Sequence, residues 1–447
     1  MSNDAVRSLP SVDRLAAAVG DGPHVLVVEA ARAEVEETRA AVLHGEPVPE
    51  FEVLVSRTLG RVERTLRPSL KRVINATGVI LQTNLGRAPL SERAVAAMAE
   101  VAAGYSNLEY DVAPGERGSR HEHVRELIRR TTGAEDGLVV NNNAAALLMV
   151  LQVLARGREV IVSRGQAVEI GGGFRIPDVL VQSGARLVEV GTTNRTYARD
   201  YAAASGPETA AILRVHSSNF QVVGFTTEPT AAELVLVARE RGVLLFDDLG
   251  SGCLVDTAQF GMTHEPTVQE SIGAGVDLVM FSGDKLLGGP QCGIIAGRGP
   301  LVAELRRHPL ARALRVDRMT IAALNATLGS YAAGTALDEL PVWKMARAPE
   351  ATVRRRARRW ARACGGEVVQ SLSMMGGGSL PGQGVTTWCC RMTGDAEQVA
   401  ARLRQNVPPV IARIERGAVL LDPRTVEPKD DRLVEAAISA AVVEFHS

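Results

Sequence analysis

Only four of the chain's 50 basic residues are lysine: Lys71, Lys285, Lys344 and Lys429. Salt bridges and phosphate contacts accept arginine. A Schiff base does not, because it needs a primary amine that can lose its proton. A lysine retained in so arginine-rich a chain is therefore a candidate for amine chemistry. Lys285 has the setting for it: the apolar run Leu278–Phe281 leads directly into Ser282-Gly283-Asp284-Lys285-Leu286-Leu287-Gly288-Gly289-Pro290. A lone amine after a buried strand, flanked by small and turn residues, reads as a lysine linked to pyridoxal phosphate, with Ser282 near the cofactor phosphate. An ordinary surface lysine at a strand end is the plainer reading of the same residues.

Three further strand ends carry polar groups. Val243–Phe246 runs into Asp247-Asp248-Leu249-Gly250-Ser251-Gly252. A carboxylate there suits the pyridinium nitrogen of the cofactor, which it would keep protonated so that the ring can accept electrons. Asp248 is the better candidate, since Gly250 and Gly252 allow close approach and alternation turns Asp247 the other way; a capped strand-end turn also fits. Gly137–Val140 leads into Asn141-Asn142-Asn143-Ala144-Ala145-Ala146, where Asn142, Asn143 and Ala144 would open a helix whose N–H groups face a phosphate, or where an asparagine simply caps the helix. Ile212–Val215 ends in His216-Ser217-Ser218-Asn219; Asn219 is either a partner for the cofactor's ring hydroxyl or a satisfied core residue. No glycine-rich dinucleotide motif or Walker lysine competes for the phosphate role. His121-Glu122-His123 is too closely spaced for a helical zinc pair, so no metal is expected.

The elements that must position these residues are legible in outline. Seven apolar runs of four or five residues, at Gly137–Val140, Glu159–Ser163, Leu187–Val190, Ile212–Val215, Val243–Phe246, Leu278–Phe281 and Gly293–Ala296, read as buried strands of a mostly parallel sheet. Helical patterns such as Ala144–Ala155 and Ala231–Arg241 separate them, giving an α/β class. Residues 1–70 read as short amphipathic helices, with Ser11 as a cap and Gly45 as a stop. After about residue 300 the pattern becomes α+β. It runs through the helical Val302–Met345 and Ala351–Cys364, a glycine-rich loop at Gly376–Gly384, a hairpin of Val410–Ile414 with Ala418–Leu421, and a last helix at Arg432–Phe445. The expected division is a helical domain at 1–70, a large catalytic domain at 71–315 and an α+β domain at 316–447.

A length of 447 residues suits two or three such domains, and a formal net charge of −1 excludes binding to nucleic acid through overall basicity. Residues 1–70 carry 8 arginines against 11 acidic side chains. A local arginine face at Arg57, Arg61 and Arg64 has helical spacing, though a solvated helix explains it as well. No apolar stretch reaches transmembrane length, the N-terminus lacks the apolar core of a signal peptide, and five cysteines show no metal-ligand spacing. A reduced, cytoplasmic chain is expected.

These elements, in this order, resemble the bacterial L-seryl-tRNA(Sec) selenium transferases, or selenocysteine synthases. The matching stretches are Arg72–Gly78, Thr83–Ala88, Asn107–Asp111, Asn141–Ala146, Gly191–Thr196, Asp248–Gly252, the FSGDKLLGGPQ run at 281–291, and the segment from His308 to Arg315. The N-terminal LPSVDRL is similar to the start of the family's tRNA-binding domain. The resemblance implies a fold-type I pyridoxal phosphate enzyme and a homodecamer built as a pentamer of dimers. It also implies a reaction: seryl-tRNA(Sec) displaces Lys285 from the cofactor to form an external aldimine, Lys285 takes the Cα proton, and the serine hydroxyl leaves to give an aminoacrylyl-tRNA. Selenophosphate then delivers selenium to Cβ. By the same resemblance Arg87, Arg312 and Arg315 bind the phosphate-bearing donor and Asp284 stands beside the reacting centre; interface salt bridges are the other reading of these arginines. Arg312 and Arg315 would share one helical face.

One departure stands out. The family's Ser-Arg-Gly-Glu-Leu-Val-Glu stretch has Gln166-Ala167 here in place of its first Glu-Leu. Two other readings of the chain compete with the transferase: a pyridoxal phosphate lyase acting on a small amino acid, and a non-catalytic tRNA-binding protein that keeps the fold. The N-terminal segment argues against the first, and the intact Lys285 and Asp248 against the second.

Overall fold

The computed structural model describes residues 2–20, 22–170, 173–216 and 220–443. Asn219, expected near the cofactor's ring hydroxyl, lies outside the described residues. The chain divides into two compact units, residues 1–72 and 73–447.

The first unit is helical. Ser11 caps the helix Val12–Val19, its hydroxyl accepting from the Arg14 N–H at 3.2 Å. That helix packs with His24–Leu43 and Phe51–Leu66 through Leu15, Ala31, Val35 and Leu54. The arginine face foreseen on the last helix is not free. Arg57 and Arg61 reach Glu34 at 3.5 and 2.9 Å, and Arg61 also pairs with Glu37. Glu34 is buried beneath them, and a buried carboxylate needs cationic partners.

In the second unit all seven apolar runs are strands of one sheet: β1 (Asp136–Val140), β2 (Glu159–Ser163), β3 (Arg186–Val190), β4 (Thr209–Val215), β5 (Leu244–Gly250), β6 (Leu278–Ser282) and β7 (Gly293–Gly297). Their order is β1-β7-β6-β5-β4-β2-β3, and only β7 runs antiparallel to its neighbours. Both faces are covered, which is why the central strands are largely apolar rather than alternating, while the edge strand β3 keeps Arg186 and Glu189 exposed. Helix Asn143–Leu154 buries Leu147, Val150 and Leu151 against Leu138, Phe246 and Met280 on one face. Ile128, Leu234 and Leu324, from three other helices, close over Val139, Ile212 and Val279 on the other. Truncating any one of the larger side chains to alanine costs about 2–5 kcal/mol.

The C-terminal part of this unit holds a five-stranded sheet. Its order is Arg413–Glu415, Ala418–Leu421, Gly384–Met392, Glu367–Gly376 and Val79–Leu81. Residues at the start of the unit thus belong to its last sheet: Val79–Leu81 lies parallel to Glu367–Gly376, and Ile74–Asn75 pairs with Val410–Ile411. The hairpin is shorter than expected for the same reason. Val410–Ile411 pairs with Ile74–Asn75, so only Arg413–Glu415 folds back on Ala418–Leu421. The glycine-rich loop after Gly376 projects from this sheet toward Lys285. No helix among the described residues is long and apolar enough to cross a membrane.

Candidate active site

β1, β4, β5 and β6 are mutually parallel and end at one edge of the sheet, where doubly wound folds bind their ligands. A cavity of about 280 Å³ opens there. Its lining includes Asn142, Asn143 and Ala144 after β1, His216 after β4, Asp248 and Gly250 on β5, and Ser282, Asp284 and Lys285 at and after β6. Arg87 closes one side.

Lys285 is 6% exposed. Burial pushes its ammonium pKa below the ordinary value, and the Arg87 guanidinium pushes it further the same way, against Asp248, Asp284 and Glu265. The amine is therefore biased toward the unprotonated, nucleophilic form. The glycine-rich loop presses on it from the other sheet. Gly378 has φ +84°, and a Cβ there would lie 2.7 Å from Lys285 Nζ and 3.0 Å from Cε. The left-handed backbone disfavours a side chain, and a Cβ there would push the end of the lysine aside.

Asp248 is buried, and desolvation pushes its carboxyl up to about 6, against a hydrogen bond from Asn143 and the field of Lys285. The Asn143 Nδ2 donates to Asp248 Oδ1 at 2.8 Å. Asp247 points to the opposite face, where it accepts from Arg214 at 3.0 Å and from the Ser271 hydroxyl at 2.6 Å, as strand alternation requires. Asn142 is the helix cap, its Oδ1 accepting from the Ala145 N–H at 2.9 Å. Asn142 thus caps the helix and lines the cavity, and the side chain of Asn143 is engaged by the Asp248 carboxylate.

Arg87 Nη1 donates to Asp284 Oδ2 at 2.8 Å, and the Ala88 N–H reaches the Asp284 carbonyl at 3.2 Å. Arg87 is one of three non-glycine residues with positive φ among the described residues, at 63°. Such a conformation costs on the order of 1 kcal/mol and persists when surrounding contacts over-determine it. Here they hold a guanidinium at the mouth of the lysine cavity.

Arg312 and Arg315 differ from expectation. The helix they were to share ends at Ala313, because the Leu314 carbonyl accepts from the Asn141 N–H at 2.9 Å and Arg315 bridges to Val140. Both side chains are exposed; Arg315 lies 3.9 Å from Glu109, and neither arginine lines the cavity within this chain. Gln166, the departure from the family pattern, is buried, and its Oε1 accepts from the Val215 N–H at 3.0 Å. It fixes the end of β4 just before His216, a task that an acceptor oxygen of either side chain performs. His123 Nε2 contacts the Leu108 carbonyl at 3.2 Å, and no metal-binding cluster occurs among the described residues.

Four groups at the site have no role assigned from the sequence. His216 was visible as a polar residue ending an apolar strand. Glu265 carried no local signal, because only tertiary folding brings it to His216, whereas Gly378 sits within the glycine-rich loop and Cys292 directly after the lysine run. His216 Nδ1 lies 3.7 Å from Glu265 Oε1, and burial pulls the imidazole down to about 4, so it is neutral at pH 7.

The residues fit pyridoxal phosphate. A buried amine and a buried carboxylate share one cavity with a helix N-terminus. Two buried atoms, Asn143 Oδ1 and His216 Nδ1, have no hydrogen-bond partner among the described residues. Buried polar atoms are rarely left unpaired, so a polar ligand is their natural partner.

The model of the L-seryl-tRNA selenium transferase family matches residues 73–427. An L-seryl-tRNA(Sec) selenium transferase of Geobacter metallireducens is 47% identical, over 97% of this chain and 98% of its own length. One from Geotalea uraniireducens is 48% identical, again over 97% and 98%. Among solved structures, a D-glucosaminate-6-phosphate ammonia-lyase superposes with a TM-score of 0.61 at 22% identity, covering 86% of this chain and 99% of that one. This last likeness is one of fold.

Proposed function

Because this chain belongs to the L-seryl-tRNA selenium transferase family, we propose that it converts seryl-tRNA(Sec) to selenocysteyl-tRNA(Sec) with selenophosphate as donor, and that Lys285 carries the proton transfers. Pyridoxal phosphate is the cofactor, and when bound it supplies an electron sink for charge developing at the serine Cα. The observation that carries the assignment of residues is the burial of Lys285 and Asp248 in one cavity, with the amine biased toward its free form and Asn143 hydrogen-bonded to the carboxylate.

The division of labour follows from chemistry and position. Lys285 Nζ, biased toward the free amine, attaches the cofactor, then accepts the Cα proton and later returns it. Asp248 would hold the proton of the cofactor's ring nitrogen, with Asn143 keeping the carboxylate oriented. Ser282 and the N-terminus of helix Asn143–Leu154, with Asn142 and Ala144, bind the cofactor phosphate. Asn219 is assigned the ring hydroxyl on its place in the sequence alone. Arg87, steadied by Asp284, binds the anionic selenium donor. The substrate carboxylate is an ester to RNA, so the site needs no arginine to clamp it. Arg312 and Arg315 join the donor site by resemblance to the family, with the partner subunit of a homo-oligomer, a decamer by the same resemblance, bringing them to Lys285. The helical unit at residues 1–72 is assigned to tRNA on the same ground, and the chain to the cytoplasm.

The test is the absorbance spectrum of the cofactor-loaded protein with free serine, ordinary seryl-tRNA and seryl-tRNA(Sec). A change with seryl-tRNA(Sec) alone is expected. A change with free serine and none with charged tRNA would replace the transferase by a small-molecule lyase.

A further inference from the structure

A second cavity, of about 550 Å³, adjoins the lysine cavity and shares His216 with it. The two meet at the His216–Glu265 pair, whose Nδ1 and Oε1 both lack a hydrogen-bond partner among the described residues. One loop walls both: Gly378 lies against Lys285 Nζ, and Leu380, two residues on, lines the second cavity. Building on the acylated RNA substrate assigned above, we infer that this second cavity seats the 3′-terminal nucleoside to which the serine is esterified.

Three observations support that occupant. The first is space. The lysine cavity, at about 280 Å³, lies at the lower end of ligand-pocket volumes and must already take the cofactor and the amino acid. The ester oxygen leaves it attached to a ribose, and the adjoining cavity is the larger of the two. The second is charge. The second cavity is lined by the carboxylates Glu228 and Glu265 and by His264, whose two ring nitrogens are already engaged by Asp256 and Glu270, with no lysine or arginine among the described lining residues. That suits an uncharged sugar and base, and it disfavours a phosphate or the selenium donor, which need cationic partners. The third is the supply of accessible polar groups. Gln221 and Gln383 line the cavity, the first exposed and the second half-buried, so both amides are open to a ligand. Gln221 Oε1 lies 3.9 Å from where a Cβ on Gly382 would stand, so the two amides sit on adjoining walls. A carboxamide offers a donor and an acceptor together, the pattern that reads the edge of a purine. Glu265, 2% exposed, adds an unpartnered acceptor beside the passage for the ribose 2′-hydroxyl.

The test uses the cofactor-loaded full chain and two stable probes: 3′-deoxy-3′-(L-serylamino)adenosine, which carries the nucleoside, and L-serinamide, which lacks it. Binding is followed by calorimetry and by the cofactor spectrum, with seryl-tRNA(Sec) as control. The nucleoside conjugate is expected to bind about tenfold or more tighter than serinamide, the worth of one good amide contact to a base. In the Gln221→Ala/Gln383→Ala variant that advantage should fall to about twofold or less, while thermal stability is kept. Gln221→Glu and Gln383→Glu, tested singly, serve if the double variant fails to fold. Equal binding of the two probes, or an advantage that survives the substitutions, overturns the inference while a response to seryl-tRNA(Sec) leaves the transferase assignment standing. No response to seryl-tRNA(Sec) removes the transferase assignment and this inference with it.

Discussion

Asn143→Ala should raise the pKa of Asp248 by removing its hydrogen-bond donor. The lost hydrogen bond is 2.8 Å long and its acceptor is charged above pH 6. Such bonds contribute about 1.5–3 kcal/mol, and at about 1.36 kcal/mol per pH unit the carboxyl should move from about 6 to roughly 7–8. The sign of the stability change follows. A carboxyl whose folded pKa stands above its ordinary value of 3.8 costs the fold stability as pH rises between the two values. In the parent that cost develops between about pH 4 and 6; in the variant it keeps growing to about pH 8. At pH 5 both proteins hold a neutral carboxyl and differ only by a neutral hydrogen bond. At pH 9 the variant pays a further 1–2 kcal/mol or so. For the unit of residues 73–447, an unfolding entropy of about 0.8 kcal/mol per kelvin turns this into roughly 1–3 °C of additional Tm loss. The assay is thermal unfolding of cofactor-free parent and variant at both pH values. A Tm difference that is the same at pH 5 and pH 9, or larger at pH 5, would refute the claim that Asn143 acts by stabilising the ionised carboxylate.

Three further outcomes are expected. Lys285→Arg keeps a cation but removes the nucleophilic amine, so borohydride should no longer fix cofactor to the protein and turnover should fall by more than about a thousandfold; cofactor trapped in this variant would displace Lys285 from its role. Gly378→Val should cost about 1–2 kcal/mol from the left-handed backbone alone and also displace the lysine, so activity should drop at least about tenfold; near-parent kcat would mean that the loop does not position Nζ. Mixing inactive Lys285→Ala and Arg312→Ala chains should restore about a quarter of parent activity if Arg312 acts across a two-fold interface, since half the randomly formed dimers then carry one complete site; zero recovery would place Arg312 in the site of its own chain.

Much of this protein was legible before folding was considered. The seven apolar runs foretold the seven strands because a sheet covered on both faces leaves no polar alternation to blur them. Lys285 and Asp248 stood out because strand ends are where such a sheet exposes chemistry, and because arginine cannot replace a reactive amine. Local periodicity was enough for these features, since each rests on contacts close in sequence. What folding alone decided are the relations between distant residues. Gly378 meets Lys285 across two sheets, Arg87 is held in a left-handed conformation by Asp284, and Asn143 turns its amide to Asp248. Arg315 leaves the helix expected for it because the end of β1 competes for its backbone. Arg57 and Arg61 answer a buried Glu34 rather than solvent. In each case the deciding force is the pairing of a buried charge or backbone group with a partner far along the chain, and no pattern read along the sequence specifies that partner.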